Sequence, residues 1–200
     1  LTIDKFKSFF KTDEEKKVFD IKNAISEILF LIYPRFKSES IELDFVCHCR
    51  KKSIISENHF EFPVCNQHNI KIFGQENSFK QVVLNLLSNA RDAVLEKRIR
   101  TNLFELERIT IFLKITEGHV ILEIHDQGIG IQKTQFEKLF TPYYSTKEEG
   151  KGTGLGLYMS KMIIEEQMKG KIWVESSPEI KTVFFIELEV KEDKDGAKII

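Results

Sequence analysis

The sequence is short of cysteine, of long apolar runs and of net charge, and each shortage excludes a class of protein. Three cysteines in 200 residues cannot all pair with one another, which fits a reducing compartment better than a disulfide framework. No apolar run approaches the ~18 residues that a membrane span requires. No signal peptide opens the chain, because Leu1 leads directly into a charged amphipathic segment. We therefore expect a cytoplasmic fragment without membrane contact of its own, whether or not the parent protein is anchored in a membrane.

The charge balance excludes a nucleic-acid partner. The 30 Lys and Arg residues are offset by 31 Asp and Glu residues, so the net charge of −1 provides no basic field. With 42% hydrophobic residues, including 17 Phe, the chain can bury one large core. We predict one domain over 17–190, the end of a helix and a linker over 1–16, and a flexible charged tail over 191–200. Because the first residue is not Met, we expect a piece of a longer protein.

One group of side chains could ligate zinc. The patterns CxC and CxxH supply four candidate ligands, namely Cys47, Cys49, Cys65 and His68. Two cysteines so close together are uncommon in structural zinc sites. The alternative is that Cys47 and Cys49 lie on a strand and that Cys65 and His68 lie in a loop, and the tight spacing favours this alternative.

Hydrophobic periodicity divides the chain into helices and strands. Helical spacing of apolar residues predicts helices over 1–11, from Thr12 or Asp20 to Pro34, and over 76–97, 136–140 and 155–169. Alternating or short apolar runs predict strands over 41–47, 70–73, 109–116, 119–126, 171–175 and 182–190, with one more short strand within 50–69. Hairpins and packed helices together predict a two-layer α/β sandwich rather than a doubly wound sheet. We expect a mixed sheet of about five strands packed on three helices.

The predicted helix 76–97 carries an apolar face beside a polar stripe. The residues predicted to enter the core are Phe79, Val82, Val83, Leu86, Leu87, Ala90 and Val94. Asn85 and Asn89 lie four residues apart on the stripe, so their side chains point the same way. Carboxamide oxygens suit a hard cation such as Mg²⁺ and add no negative charge beside a polyphosphate. A solvated helix face is the alternative, and the glycine motifs that follow favour a metal site at Asn85 and Asn89.

A carboxylate at a strand end, followed by glycines, predicts a site for a planar base. The motif DQGIGI (126–131) contains Asp126, Gly128 and Gly130. The carboxylate can accept hydrogen bonds from an exocyclic amine, and glycine lets the backbone approach a flat ring. Taken alone, the motif would equally fit an ordinary Asp-x-Gly turn.

A glycine-rich loop before a helix predicts an anion site. The motif GKGTGLGL (150–157) offers backbone N–H groups and a helix N-terminus that suit a triphosphate, through Gly152, Gly154, Leu155, Gly156 and Leu157. Lys147 and Lys151 flank the loop and could contact phosphates, although each could also be a solvated lysine. The loop matches neither the Walker pattern GxxxxGK[ST] nor the spacing of a dinucleotide fingerprint.

Four motifs occur in a fixed order within 77 residues, namely QVVLNLLSNARDAV (81–94), DQGIGI (126–131), FEKLFTPYYSTK (136–147) and GKGTGLGL (150–157). They resemble the N, G1, F and G2 boxes of the ATP-binding domain of sensor histidine kinases, a Bergerat fold, and the resemblance covers roughly residues 17–190. It implies ATP and Mg²⁺ as ligands, Asp126 as the reader of the adenine amino group and Thr182 beside the adenine. It also implies a mobile ATP lid, whose hinge is packed by Phe140, Pro142, Tyr143 and Tyr144.

The chain departs from the pattern of the family that it resembles at several positions. Gln127 replaces a more usual Asn, and Ile180-Lys181 replaces the glycine that customarily precedes Thr182. Asp92 stands where many family members carry a lysine that contacts phosphate. The patterns NAxDA and STK resemble the nitrogen-sensor subgroup, in which the lysine matching Lys147 is expected to take over that contact.

The resemblance implies transfer of the γ-phosphoryl group of ATP to a histidine rather than its hydrolysis. Related ATPases carry a glutamate as general base where this chain has Asn85, and a carboxamide cannot accept a proton near neutral pH. The acceptor histidine is expected on an upstream helical hairpin, absent from this chain apart from possible last turns at 1–11. By the same resemblance, that hairpin forms a homodimer, and the phosphoryl group passes on to an aspartate of a response regulator.

Two alternatives to a histidine kinase remain open at this point. One is a catalytically degenerate module that binds nucleotide and signals by shape alone. The other is an ATPase or serine kinase of the same fold, which the absence of the glutamate makes a weaker hypothesis. The pair His125-Asp126 matches the acceptor pattern only formally, because it lies inside the nucleotide motif.

Overall fold

The computed structural model describes residues 15–49, 52–55, 70–102, 106–146 and 153–191, with only the backbone of Cys49 and of residues 52–55. The strands are β1 (Lys17–Asp20), β2 (Ile41–Cys49), β3 (Lys52–Ile55), β4 (Lys71–Gly74), β5 (Glu107–Thr116), β6 (His119–Asp126), β7 (Lys171–Ser177) and β8 (Lys181–Glu189). The helices are α1 (Ile21–Ser38), α2 (Glu76–Thr101) and α3 (Gly156–Lys161), and α3 continues as a π-helical segment, Met162–Gln167. No helix in these described ranges is long and apolar enough to cross a membrane.

Within the described residues, the main sheet has six strands in the order β3-β2-β5-β6-β8-β7. Only β2 and β5 pair in parallel, and every other neighbouring pair in this sheet is antiparallel. Strands β1 and β4 form a separate antiparallel ribbon, which a single bridge between Ile72 and Val190 joins to the end of β8. The predicted two-layer sandwich with a mixed sheet and three helices is confirmed. The sheet is one strand wider than expected, because β3 adds to its outer edge.

One face of the sheet packs on the helices to form a single core. The residues of β5 that alternate toward the helices, Ile109, Ile111 and Leu113, are completely buried. The whole apolar face predicted for α2, from Phe79 to Val94, joins the same core. Burial of this face leaves the neighbouring polar stripe of α2 at the edge of the core, where Asn85 and Asn89 line the cavity described below.

Helix α1 begins at Ile21 with Asp20 as its N-cap residue, and the competing start signal, Thr12, lies outside the described residues. The Asp20 carboxylate accepts hydrogen bonds from the backbone N–H groups of Lys22 at 2.8 Å and Asn23 at 3.1 Å, as an N-cap residue does. The predicted end at Pro34 is wrong, because α1 continues to Ser38. Proline removes its own N–H bond and crowds the carbonyl four residues earlier, but beyond it Phe36 is buried in the core, and this burial favours a continued helix.

The short helix predicted over 136–140 is also wrong. The chain forms a 3-10 turn at Lys133–Gln135 and then a series of hydrogen-bonded turns. Most of these bonds span three residues, such as Lys138 N–H to the Gln135 carbonyl at 3.0 Å and Thr141 N–H to the Lys138 carbonyl at 2.9 Å. Tight turns also place side chains three residues apart on the same side, and Phe136 and Leu139 both turn inward in this way.

Candidate functional site

A cavity of about 460 Å³ lies between α2, the loop after β6, the start of β8 and the glycine-rich turn before α3. Most of the predicted site residues line it: Asn85, Asn89, Asp126, Gly130, Tyr144, Gly154, Gly156, Leu157 and Thr182. The structure therefore brings residues of all four sequence motifs to one cavity. Its size is in the range of small-molecule sites, ~300–1,000 Å³.

Asn85 joins α2 to the first turn of α3. Its Nδ2 donates a hydrogen bond to Ser160 Oγ at 3.0 Å, and Ser160 Oγ donates in turn to the Gly156 carbonyl at 2.9 Å. A Cβ atom on Gly156 would lie 2.4 Å from Asn85 Oδ1. Glycine at 156 is therefore required for α3 to begin this close to the Asn85 carboxamide.

Asn89 and Asp92 continue the polar stripe along the cavity floor. Asn89 is half-buried, and its carboxamide has no hydrogen-bond partner among the described residues. Arg91 Nη1 donates to Asp92 Oδ1 at 2.7 Å, while the rest of the Arg91 guanidinium is bound by the Glu39 carboxylate. This hydrogen bond to Arg91 lowers the pKa of Glu39. Asp92, which stands where many members of the resembled family carry a lysine, is thus held by an anchored arginine.

Asp126 is a deeply buried acid at the end of β6. It is 2% exposed, and burial raises its pKa to about 7, although the Gly128 N–H donates to its Oδ1 at 2.9 Å and Lys97 lies nearby. Thr182 of β8 pairs directly opposite Asp126 and is also 2% exposed. Two polar side chains thus lie side by side at one end of the cavity, buried among apolar neighbours.

A hydroxyl chain fixes the direction of the Thr182 hydroxyl. Ser176 Oγ donates to the Lys181 carbonyl at 2.8 Å and lies 3.0 Å from Thr182 Oγ1. A serine hydroxyl has one proton to donate, so Thr182 Oγ1 donates to Ser176 Oγ. The lone pairs of Thr182 Oγ1 remain available as acceptors. With the Asp126 carboxylate, they form an acceptor pair suited to an amine.

The glycines have separate tasks. Gly130 and Gly154 have positive φ angles of 69° and 65°, which glycine adopts without strain. A Cβ on Gly154 would lie 2.4 Å from the carbonyl carbon of Tyr143, so these two backbones touch. Gly128 does not line the cavity, because it packs against Ala93 of α2, where a Cβ would lie 2.5 Å from the alanine methyl group. Leu155 does not line the cavity either.

The predicted packing of the lid hinge is correct only in part. Phe140 is partly buried against the core, but Tyr143 is 79% exposed and Pro142 is exposed as well. Tyr143 has a positive φ of 64°, and this left-handed turn directs its ring away from the core. The described contact at this point is the close approach of the Gly154 and Tyr143 backbones, not a packed aromatic cluster.

Several predicted residues lie outside the described part of the chain, namely Lys147, Lys151, Gly152, Cys65 and His68. Cys47 is buried in β2, and no group of His, Cys, Asp and Glu within the described ranges could hold a metal ion. His125 projects from the face of the sheet opposite to Asp126, where its Nε2 lies 2.8 Å from Glu123 Oε2.

Sequence reasoning missed three charged residues that line the cavity. Glu96 and Arg100 extend the α2 stripe, and Arg100 Nη1 lies 3.8 Å from Glu179 Oε1. Continuing the spacing of Asn85 and Asn89 along the helix would have found Glu96 and Arg100. Glu179, by contrast, comes from the turn between β7 and β8, and no pattern in the sequence marks it.

The polar groups that line the cavity fit a nucleotide with a divalent cation. Two neutral carboxamides project from α2 near the start of α3, and a buried acceptor pair lies at the end of β6. Oxygen donors without charge are compatible with a cation that is already bound to phosphates. The first turn of α3 supplies backbone N–H groups near the carboxamides.

Comparison with known proteins agrees with this geometry. Residues 74–192 match the family described as histidine kinase-, DNA gyrase B- and HSP90-like ATPase. Sporulation kinase E of Bacillus subtilis (strain 168) is 38% identical over 124 residues, which cover 62% of this chain and 15% of that kinase. The two-component sensor PprA of Pseudomonas aeruginosa is 41% identical over 92 residues, which cover 46% of this chain and 10% of that sensor. It thus spans a small part of these curated relatives.

Solved structures show the same fold. The catalytic domain of histidine kinase ThkA superposes with a TM-score of 0.67 at 25% identity, covering 88% of this chain and 96% of that domain. A structure of ThkA in complex with the response regulator protein TrrA aligns with a TM-score of 0.64 at 21% identity, covering 94% of this chain and 48% of that one.

Proposed function

Because this chain belongs to the family of histidine kinase-, DNA gyrase B- and HSP90-like ATPases, we propose that its Asn and Gly motifs bind Mg-ATP for phosphoryl transfer to a histidine on an upstream helical hairpin. The chain is the ATP-binding catalytic domain of a two-component sensor histidine kinase. The acceptor hairpin, the response regulator that receives the phosphoryl group and the homodimer of the whole protein are part of the proposal.

One observation carries the assignment of the ligand: the two ends of the cavity have different chemistry. At one end, Asp126 and Thr182 offer buried acceptors for an exocyclic amine. At the other, Asn85, Asn89 and the N-terminus of α3 converge. We assign the adenine to the first end and the triphosphate to the second. Gly130 and Leu157 also line this cavity.

Asn89 and Asn85 are the residues that would hold Mg²⁺, through their carboxamide oxygens. The cation would neutralise phosphate charge and orient the γ-phosphoryl group for in-line transfer. This chain's own residues then bind and orient ATP: Asp126 and Thr182 hold the base, and the turn at Gly154 and Gly156 places N–H groups against the phosphates. Positioning of this kind is most of what phosphoryl transfer requires. Lys147 and Lys151 remain candidates for phosphate contacts.

Transfer is favoured over hydrolysis by the side chain at position 85. The amide nitrogen of Asn85 is committed to Ser160 Oγ, and a carboxamide is no base for water. The second candidate, a degenerate nucleotide-binding module, has the same cavity and differs only in lacking transfer. We also propose the nitrogen-sensor subgroup from the NAxDA and STK patterns, a domain over residues 17–190 and a cytoplasmic location that gives access to ATP.

The test is phosphoryl transfer from γ-labelled Mg-ATP, in the protein extended upstream through the expected hairpin. A label that is acid-labile and alkali-stable is expected, since phosphohistidine has that behaviour. The same protein with Asn89→Ala should lose both label and Mg-ATP binding. A label that is stable in acid would contradict histidine transfer. ATP binding without any label would leave the degenerate module, and Mg-ATP affinity unchanged in Asn89→Ala would remove Asn89 from the site.

A further inference from the structure

The contact between α2 and α3 contains a serine that the nucleotide motifs do not explain. Ser160 is 2% exposed, lies one turn into α3 and does not line the cavity. Its hydroxyl is nevertheless hydrogen-bonded on both sides, to Asn85 Nδ2 at 3.0 Å and to the Gly156 carbonyl at 2.9 Å. A buried serine with two such partners connects the glycine-rich turn to the α2 stripe.

Proton counting fixes the orientation of the Asn85 carboxamide. The Gly156 carbonyl can only accept, so it takes the one proton of the Ser160 hydroxyl. Ser160 Oγ can then only accept from Asn85, and the Asn85 atom that faces it must be the N–H₂ group. The assignment of amide nitrogen and oxygen thus follows from the hydrogen-bond network itself. The Asn85 carbonyl oxygen therefore points away from Ser160, beside Gly156, where a Cβ would lie 2.4 Å from it.

This orientation has a consequence for the phosphates. With its oxygen beside the first turn of α3, Asn85 presents an acceptor where a polyphosphate would bind. An acceptor oxygen and a phosphate oxygen repel each other unless a cation lies between them. If the amide were rotated, its N–H₂ group would donate to phosphate directly, and no cation would be needed at that point.

We propose that Ser160 is a positioning residue, which fixes the Asn85 carboxamide with its oxygen toward the triphosphate and so makes nucleotide binding depend on Mg²⁺. This inference rests on the proposed nucleotide site and assigns Ser160 a role within it. Ser160 acts through Asn85 and needs no contact with ATP.

The test is the ratio of ATP affinities of this chain in Mg²⁺ and in EDTA, measured by calorimetry. In Ser160→Ala, the Asn85 N–H₂ group loses its acceptor and the amide is free to rotate. The ratio is expected to fall by about two- to tenfold, the worth of one hydrogen bond. Ser160→Thr keeps the hydroxyl and should keep the ratio of the unchanged chain.

Two further variants separate positioning from general destabilisation. In Asn85→Ala, adding Ser160→Ala should change the ratio no further, because the residue that Ser160 orients is gone. Ser38→Ala is the matched control: Ser38 Oγ donates to the Arg35 carbonyl at 2.8 Å on α1, away from the cavity, and its loss should leave the ratio unchanged.

The outcomes that contradict the proposal are distinct from those that contradict the nucleotide site. A ratio in Ser160→Ala equal to that of the unchanged chain would overturn the role of Ser160 while leaving ATP binding intact. That role would also be overturned if the effects of Asn85→Ala and Ser160→Ala on the ratio simply added. If the unchanged chain bound no ATP in either solution, the proposed function itself would be wrong, and this inference with it.

Discussion

Asp126 and Thr182 face each other across the antiparallel pair β6–β8, and each is 2% exposed. Both lie on the sheet face that packs on the helices, but at its end, where the apolar core gives way to the cavity. A buried carboxylate that has no cation at hydrogen-bond distance, as Asp126 has none among the described residues, is costly. The cost is explained if the carboxylate has a ligand amine as its partner.

Asp126→Asn should therefore change the choice of base rather than the fold. An asparagine retains the size of the side chain but places an N–H₂ group where the carboxylate only accepts. We expect ATP affinity to fall at least about tenfold, and GTP, which carries a carbonyl where adenine has its amine, to lose less. Titration of both nucleotides into both proteins measures this. An equal loss for ATP and GTP would undercut the assignment of adenine to Asp126.

The raised pKa of Asp126 predicts a pH dependence of stability with a definite sign. Between the 3.8 of an ordinary aspartate and the value of about 7 in the fold, the folded chain keeps a proton that the unfolded chain has lost. Lowering the pH through this window stabilises the folded chain, and raising it toward 7 removes that stabilisation. When the pH is lowered from 8 to 5, the Tm of the unchanged chain should rise relative to the Tm of Asp126→Asn. If the difference in Tm between the two proteins did not change with pH, Asp126 would have an ordinary pKa in the fold.

The backbone contact between Gly154 and Tyr143 predicts different effects for two glycines with similar conformations. Gly154 (φ 65°) and Gly118 (φ 73°) both adopt left-handed angles, but a Cβ on Gly154 would strike the Tyr143 backbone, whereas nothing lies within 4 Å of one on Gly118. Gly118→Ala should cost only the strain of the angle, ~1 kcal/mol, with ATP affinity unchanged. Gly154→Ala should destabilise by more and weaken ATP binding as well.

Thermal unfolding and ATP titration of Gly154→Ala and Gly118→Ala measure whether the two substitutions differ in their effects on stability and on ATP affinity. The comparison isolates the contact, because the two substitutions share the same backbone strain. Equal effects of Gly154→Ala and Gly118→Ala on both measurements would show that the approach of Gly154 to Tyr143 has no part in nucleotide binding.

The sequence predicted the parts of this site that lie on regular elements. The helical spacing of Asn85 and Asn89, and the buried face from Phe79 to Val94 behind them, determine which side of α2 meets the cavity, and the structure has both as expected. Asp126 was placed correctly at a strand end for the same reason, because strand alternation decides which face its side chain takes.

What could not be predicted depends on contacts between distant segments. The hydrogen bond from Asn85 to Ser160 joins residues 75 apart, and Gly128 meets Ala93 rather than the cavity. Spacing within one element carries no information about such contacts. The turns over 136–140 were mistaken for a helix, because spacings of three and four residues do not distinguish repeated turns from a helical turn.

A buried ion pair at the end of α2 gives the last prediction, which concerns stability. Arg98 and Glu107 are 7% and 6% exposed and form a salt bridge, and Arg98 Nη2 also donates to the Ser40 carbonyl at 2.7 Å. These bonds extend α2 beyond the predicted end at residue 97 and join it to β5 and to the end of α1.

Arg98→Met should lower the free energy of unfolding by about 3–5 kcal/mol, because Glu107 is left as an uncompensated buried charge. Adding Glu107→Leu should recover much of that loss, since two apolar side chains can replace a buried pair at little cost. Chemical denaturation of the two variants and the unchanged chain measures both steps. If the double variant were no more stable than Arg98→Met, the loss would come from the bonds of Arg98 to the Glu39 and Ser40 carbonyls and not from the unpaired charge of Glu107. ATP affinity should be the same in all three proteins where they are folded, because neither side chain lines the cavity.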